Sequence, residues 1–371
     1  LTDDSSFRPC TTDNLIEVIR AAANVEVTAE EEMEVPTSLC SADELLEAEK
    51  LNPANWLEGA FTDGTPNTPS DKITAPLTLR RLSNGLRVGA ASTPVESQRG
   101  HLRILVPGGR MAEKKLGLKK GAMAVGARAM QEGGAFGRFS RNQVELFCVD
   151  KLLMVEINCN EEFLTFDFVF PTNEVGSIMG EKAITGTEAA LQIARAIVGN
   201  ELVWENDALS RSKNHLISTH ESLMKNLEGS ATEKLMGEMT SNDARFVSVC
   251  KDDVEAVTLE DAKVACSSQL KPSQMEISIA GDFDINETLE LVRKYLGTIP
   301  SGEEADTGAN DGDYNIPVVG KAIDLEVEIT DSDPRAVAYV AGAAPNRWGY
   351  FSDGKNIGDM VGLGIKPQLP K

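Results

Sequence analysis

A chain of 371 residues, 41% apolar and 25% charged, is long enough for a full core plus flanking pieces, and its composition excludes a wholly disordered protein. The net charge of -22 is uneven: residues 1–74 hold 16 acidic and 4 basic side chains and residues 301–371 hold 12 and 6, which leaves residues 75–300 at only -4. A surface of this sign repels phosphate backbones and argues against nucleic acid as the main partner, and the acidic flanks read as solvated loops and linkers.

Taken in order, the first 74 residues read as two short helices in a polar setting. Thr12 is placed to cap a helix over Asp13 to Ala23, with Leu15, Val18 and Ile19 on one face, and Ser41 to cap Ala42 to Lys50. Glu30-Glu-Glu-Met-Glu34 is a charge run, and Phe61 to Ser70, with Gly64, Pro66 and Pro69, is a linker. The N-terminus, Leu1-Thr-Asp-Asp-Ser5, has neither a signal peptide's form nor a starting Met, so the chain reads as a fragment in which the absence of a targeting segment carries little weight; the favoured expectation is a soluble protein, intracellular or organellar. No apolar run reaches the roughly 18 residues needed to span a bilayer.

A central domain opens near Ala75. Asn84-Gly85 predicts a hairpin with a type I′ turn. Leu102, Ile104 and Val106 then alternate with Arg103 in a strand that turns at Pro107-Gly-Gly109, and a small-residue helix spans Gly121 to Gln131, closed by Glu132-Gly-Gly134. Ser140-Arg-Asn-Gln143 is a capping box for a helix to about Cys148. Two strands follow, the second with Leu164, Phe166, Phe168 and Phe170 on one face. Residues 186–198 and 205–239 are helical by spacing, the latter with a break at Gly229. Thr258 caps another helix, Met275 to Ile279 is a strand, and Asn286 caps a helix to Leu296. Strand pairs followed by helices, without steady βαβ alternation, predict an α+β fold: a mostly antiparallel sheet with helices packed on one face. After Pro300 an acidic linker leads to alternating residues from Ile323 to Ile329 and a second run, Ala336 to Ala341, which read as the opening hairpin of a following domain. The expected division is therefore a helical tail and linker over 1–74, a complete domain over 75–300, and a linker with a truncated start over 301–371.

The segments Leu82-Ser-Asn-Gly-Leu-Arg-Val88, Arg103-Ile-Leu-Val-Pro-Gly-Gly-Arg-Met-Ala-Glu113, Glu132-Gly-Gly134, Asn242-Asp-Ala-Arg-Phe246, Val257-Thr-Leu-Glu-Asp261 and Ile277-Ser-Ile-Ala-Gly-Asp-Phe283 through Pro300 together resemble the pitrilysin/insulinase family of zinc metallopeptidases, which includes the mitochondrial processing peptidase subunits. In active members of that family the helix after the Gly-Gly turn carries H-x-x-E-H, two histidine ligands and a glutamate that activates water. The resemblance places those three positions at Ala124, Ala127 and Arg128. No histidine lies between His101 and His215 to replace them. The resemblance thus implies a repeat domain without catalytic residues, metal or cofactor of its own, Zn2+ being expected in a catalytic domain elsewhere in the full-length protein. It also implies partners: other domains of the same protein across a substrate chamber, and an extended peptide that adds to a sheet edge. Two other readings stand beside it, a purely structural subunit like the respiratory-complex core proteins that share the fold, and a hydrolase with an unrecognised site.

Other features have plainer readings. His215 and His220, five residues apart on a helix, sit about 140° apart around its axis and would not converge on one metal. Ten Lys or Arg residues between Arg80 and Lys120, against Glu96 and Glu113, form a solvated face or a patch for an acidic segment. The Gly108-Gly109 and Gly133-Gly134 pairs lack phosphate-cradle spacing. Phe163, Phe166, Phe168 and Phe170 are read as core, and Trp348 as buried in the intact protein. The six cysteines (Cys10, Cys40, Cys148, Cys159, Cys250 and Cys266) form no C-x-x-C pair and are expected to be buried free thiols.

Overall fold

The computed structural model describes residues 11–25, 34–58, 77–175, 184–302, 324, 326, 327 and 336–339. The chain divides into two units, Leu1–Glu34 and Val35–Lys371. In the first, helix α1 (Thr12–Ala23) is capped by Thr11, whose Oγ1 accepts the Asn14 N–H at 3.3 Å. The cap lies one residue before the expected Thr12 because Thr11 is extended while Thr12 is already helical. Leu15, Val18 and Ile19 on this helix are exposed.

The second unit opens with α2 (Ala42–Leu51), started by a Ser41–Glu44 capping box. Strands β1 (Leu77–Arg81) and β2 (Arg87–Ser92) form the expected hairpin. Its turn is not type I′, which needs positive φ at both central residues: only Gly85 is left-handed (φ 91°), in a loop closed by the Gly85 N–H on the Leu82 carbonyl and the Leu82 N–H on the Leu86 carbonyl. Asn84 serves a different purpose. It is buried, donates from Nδ2 to the Leu296 and Ile299 carbonyls (2.8 and 2.9 Å), and accepts the Leu86 N–H.

Next come β3 (Arg99–Pro107), α3 (Met111–Lys115), α4 (Ala122–Gly133), α5 (Arg141–Asp150, with the Ser140–Gln143 box), β4 (Met154–Cys159) and β5 (Phe163–Pro171). A short pair, β6 (Glu174–Val175) and β7 (Ile184–Thr185), precedes α6 (Gly186–Val198), α7 (Asn206–Lys225) and α8 (Leu227–Thr240). The break between α7 and α8 falls at Asn226 rather than Gly229, because the Asn226 side chain accepts the Gly229 N–H and so starts a new helix. Then follow α9 (Lys251–Ala256), α10 (Leu259–Ser267), β8 (Glu276–Gly281) and α11 (Ile285–Leu296). Asp284, not Asn286, caps α11: its Oδ1 accepts both the Asn286 and Glu287 N–H groups.

Six strands form one sheet in the order β1-β2-β8-β3-β5-β4. Every pair is antiparallel except β2 with β8. Leu102, Ile104 and Val106 of β3 and Leu164, Phe166, Phe168 and Phe170 of β5 are buried, as their alternation requires. Helices α4, α6 and α11 pack on the sheet. Each fully buried phenylalanine contributes roughly 1.5–3 kcal/mol of burial. Alternate residues such as His101 and Arg103 are exposed, and Arg103 pairs with Asp167 across β3 and β5. This is the α+β architecture the sequence implies.

At the β1 end, the Leu57 N–H donates to the Arg81 carbonyl (2.8 Å) and Trp56 bridges to Leu82, with Arg80 over the Trp56 ring. Leu45 joins the core, and the Gln192 carboxamide oxygen accepts the Leu39 N–H at 2.7 Å. Near the C-terminus, the described residues Asp324, Glu326, Val327 and 336–339 are not in strands, contrary to the hairpin expected there. They meet α8 instead: Lys234 Nζ donates to the Glu326 carbonyl, and the Tyr339 hydroxyl donates to the Glu228 carbonyl. The remainder of that hairpin, the linker over 61–70, Cys10 and Trp348 lie outside the described residues.

Candidate functional site

All three positions singled out by the resemblance, Ala124, Ala127 and Arg128, lie on α4, a helix laid against β4 and held between α7 and α10. Its small residues have a packing cause. A Cβ on Gly126 would stand 2.6 Å from Cys266 Sγ and 2.8 Å from the Ala262 carbonyl oxygen, so the approach of α10 requires glycine there. Glu113, buried, starts the helix: its two carboxylate oxygens accept the Gly121 and Met123 N–H groups at 3.0 and 2.8 Å. Burial pushes this carboxyl above the usual range, against the opposing pull of those two donors.

Ala127 is buried, while Ala124, Arg128, Gln131 and Glu132 are half-buried. Their spacing puts them on one stripe of the helix. Arg128 Nη2 bonds Glu132 Oε1 at 2.6 Å, and Arg211 of α7 donates from Nη2 to the Glu132 carbonyl at 3.0 Å. Alanine offers no donor atom to a metal, and the Arg128 guanidinium is a cation already engaged by Glu132. The stripe therefore does not fit a zinc ion. Among the described residues no group of three or more His, Cys, Asp or Glu side chains is placed to hold a metal.

Gln131 completes the stripe and reaches the sheet. Its Nε2 donates to the Val155 carbonyl (3.2 Å) and its Oε1 accepts the Ile157 N–H (2.8 Å), both on the outer edge of β4. Neither this contact nor the Arg211–Glu132 link was visible in the sequence, since each joins residues far apart in the chain. The Arg128–Glu132 pair alone had a local signal, an i,i+4 spacing on a helix.

His215 and His220 both line a cleft of about 680 Å³ beside α7, together with Asn226 and Ser248. His215 is exposed and His220 half-buried. Four of the ten basic residues from Arg80 to Lys120 pair with acidic residues from other elements: Arg87 with Glu276, Arg103 with Asp167, Lys119 with Asp261 and Lys120 with Asp253. The five described cysteines are free, but only Cys266 is fully buried, the other four being half-buried. Burial pushes the Cys148 and Cys159 thiols up to about 12, away from the thiolate form.

The geometry is an α+β sheet backed by a helix on which Ala124, Ala127 and Arg128 present no metal-ligating side chain. Residues 256–351 match the family model described as the Peptidase M16 inactive domain. The chain is 34% identical over 352 residues to the chloroplastic stromal processing peptidase of Arabidopsis thaliana, covering 94% of this chain and 26% of that protein. It spans about a quarter of the length of the curated relatives it matches. Among solved structures, the periplasmic protease PqqL from Escherichia coli shares the fold with a TM-score of 0.55 at 15% identity, over 80% of this chain and 29% of that one. The peptidase M16 inactive domain from Pseudomonas fluorescens does so with a TM-score of 0.51 at 14% identity, over 61% and 51%. The chain is a relative of the M16 peptidases, the pitrilysin/insulinase kinship that its motifs imply.

Proposed function

We propose that this chain supplies a non-catalytic domain of a processing peptidase, which walls the substrate chamber and touches the extended peptide while another domain of the full-length protein carries the zinc and cuts. The observation that supports this reading is the α4 stripe, where the positions that the resemblance assigns to the metal motif carry Ala124 and Ala127, and Arg128 is tied to Glu132. The match to a model described as an inactive domain supports it, as does the kinship with processing peptidases. Its expected partners are the other domains of the same polypeptide and a peptide substrate.

The test is metal analysis and peptide turnover on the whole chain. After equilibration with zinc and removal of excess, well under one equivalent should remain, and no cleavage of an unstructured peptide should be seen. One equivalent of zinc that disappears with Arg128→Ala or His220→Ala, accompanied by peptide cleavage, would overturn the reading.

A further inference from the structure

The outer edge of β4 carries a contact with a specific geometry. In a parallel ladder, one residue donates its N–H to a carbonyl on the neighbouring strand and accepts, at its own carbonyl, the N–H two residues further along. The Gln131 carboxamide does both, donating to the Val155 carbonyl and accepting the Ile157 N–H, and so reproduces the main-chain donor and acceptor of one residue of a parallel strand opposite Glu156. β4 ends the sheet, and its inner side is already paired with β5 from Met154↔Val169 to Cys159↔Leu164. An unpaired edge of this kind is a template on which an extended chain can pair. Gln131 sits half-buried on the same face of α4 as Ala124 and Arg128, so the side chain that fills the edge belongs to the stripe already described.

We propose that Gln131 is a side-chain plug on the β4 edge, a peptide mimic that holds off an extended polypeptide segment which would otherwise add to β4 in parallel register. The proposal rests on the preceding reading only for the kind of ligand, an extended peptide. The consequence is that this edge is closed to peptide while the plug is seated, and that one side-chain rotation or one substitution opens it. Methionine keeps the length of the side chain and loses both hydrogen bonds, whereas alanine removes the plug altogether.

The experiment compares the whole chain with its Gln131→Met and Gln131→Ala forms, after circular dichroism has shown native helix content in at least one variant. Amide hydrogen exchange is read at Ile157, and binding is read by fluorescence anisotropy with a labelled eight-residue peptide of alternating threonine and valine ended by two lysines. Ile157 should exchange about fivefold or more faster in the variants, as expected when one hydrogen bond is lost. The peptide should bind the variants at least tenfold more tightly than the unaltered chain, and its binding should restore protection at Ile157. A peptide with proline at alternate positions, which cannot continue a ladder, should bind none of them. Unchanged exchange at Ile157, equal binding to all three proteins, or no binding to either variant would each overturn the plug. Zinc uptake or cleavage by the chain would instead sink the preceding reading and leave the exchange result standing.

Discussion

The two ends of the sheet are closed by different means. At β1 the cover is main chain, since the Leu57 N–H bonds the Arg81 carbonyl and the Ser83 N–H bonds the Asn55 carbonyl, on either side of the Trp56–Leu82 bridge. At β4 the cover, among the described residues, is the carboxamide of Gln131 on α4. Main-chain closure survives almost any substitution because every residue but proline carries the same donor and acceptor. Side-chain closure depends on residue type, so the β4 end is the one that a small sequence change converts from a sealed edge into a binding edge. The stripe of Ala124, Ala127 and Arg128 runs along the helix that seals that end.

The largest effect should come from between the two ends. Phe166 on β5 is fully buried, and Phe166→Ala should cost about 3–5 kcal/mol in urea unfolding, lowering protection at both edges together. Asn84→Ala comes next. It leaves the Leu86 N–H and the Leu296 and Ile299 carbonyls without their buried partner, a loss of about 1–3 kcal/mol that should fall on the β1 side and leave Ile157 exchange unaltered. Leu57→Pro removes the donor that bonds Arg81 and should cost about 1 kcal/mol, because one main-chain bond is lost and the bond from the Ser83 N–H to the Asn55 carbonyl remains. If Leu57→Pro and Gln131→Ala changed exchange at both ends alike, the ends would not be independent and the contrast would fail.

What the sequence discloses about these ends depends on contact range. Ser41, Ser140 and Thr258 are legible as helix starts because a capping box is complete within four residues. The apolar face of β5 is legible because a strand repeats every two residues. Asn84 shows the limit: Asn-Gly marks the hairpin, yet the asparagine's carboxamide bonds carbonyls more than 200 positions away, and that demand leaves φ positive at Gly85 alone. Nothing local distinguishes Gln131 from any other half-exposed helix glutamine, and β2 pairs in parallel with β8 across most of the domain. For the candidate site, the three α4 positions followed from family resemblance. Their ion pairing and the edge contact required the fold.

The smallest expected effect separates the ends by pH. Closure at β1 uses an N–H and a carbonyl, neither of which titrates, whereas α4 is started by Glu113 and packs on α10, whose N-terminal box contains Asp261. At Asp261 burial pushes upward, but bonds from Lys119 and Thr258 outweigh it and hold the carboxyl at about 2. A folded value below the unfolded one, which is about 3.9, means that this group's stabilisation is present above that pH and is lost as pH falls toward 2. Glu113 has the opposite sign. Burial raises its folded value above the unfolded one, about 4.3, so its contribution is full below that pH and is lost as pH rises through the folded value. Asp261→Asn should therefore flatten the acid limb of a urea-midpoint profile, and Glu113→Gln should flatten the decline above it while keeping one oxygen for the α4 amides. Exchange at Ile157 should follow these profiles, and exchange at Leu57 should not. A Leu57 amide that tracked either carboxylate would show that the main-chain end is coupled to α4 and is not closed on its own.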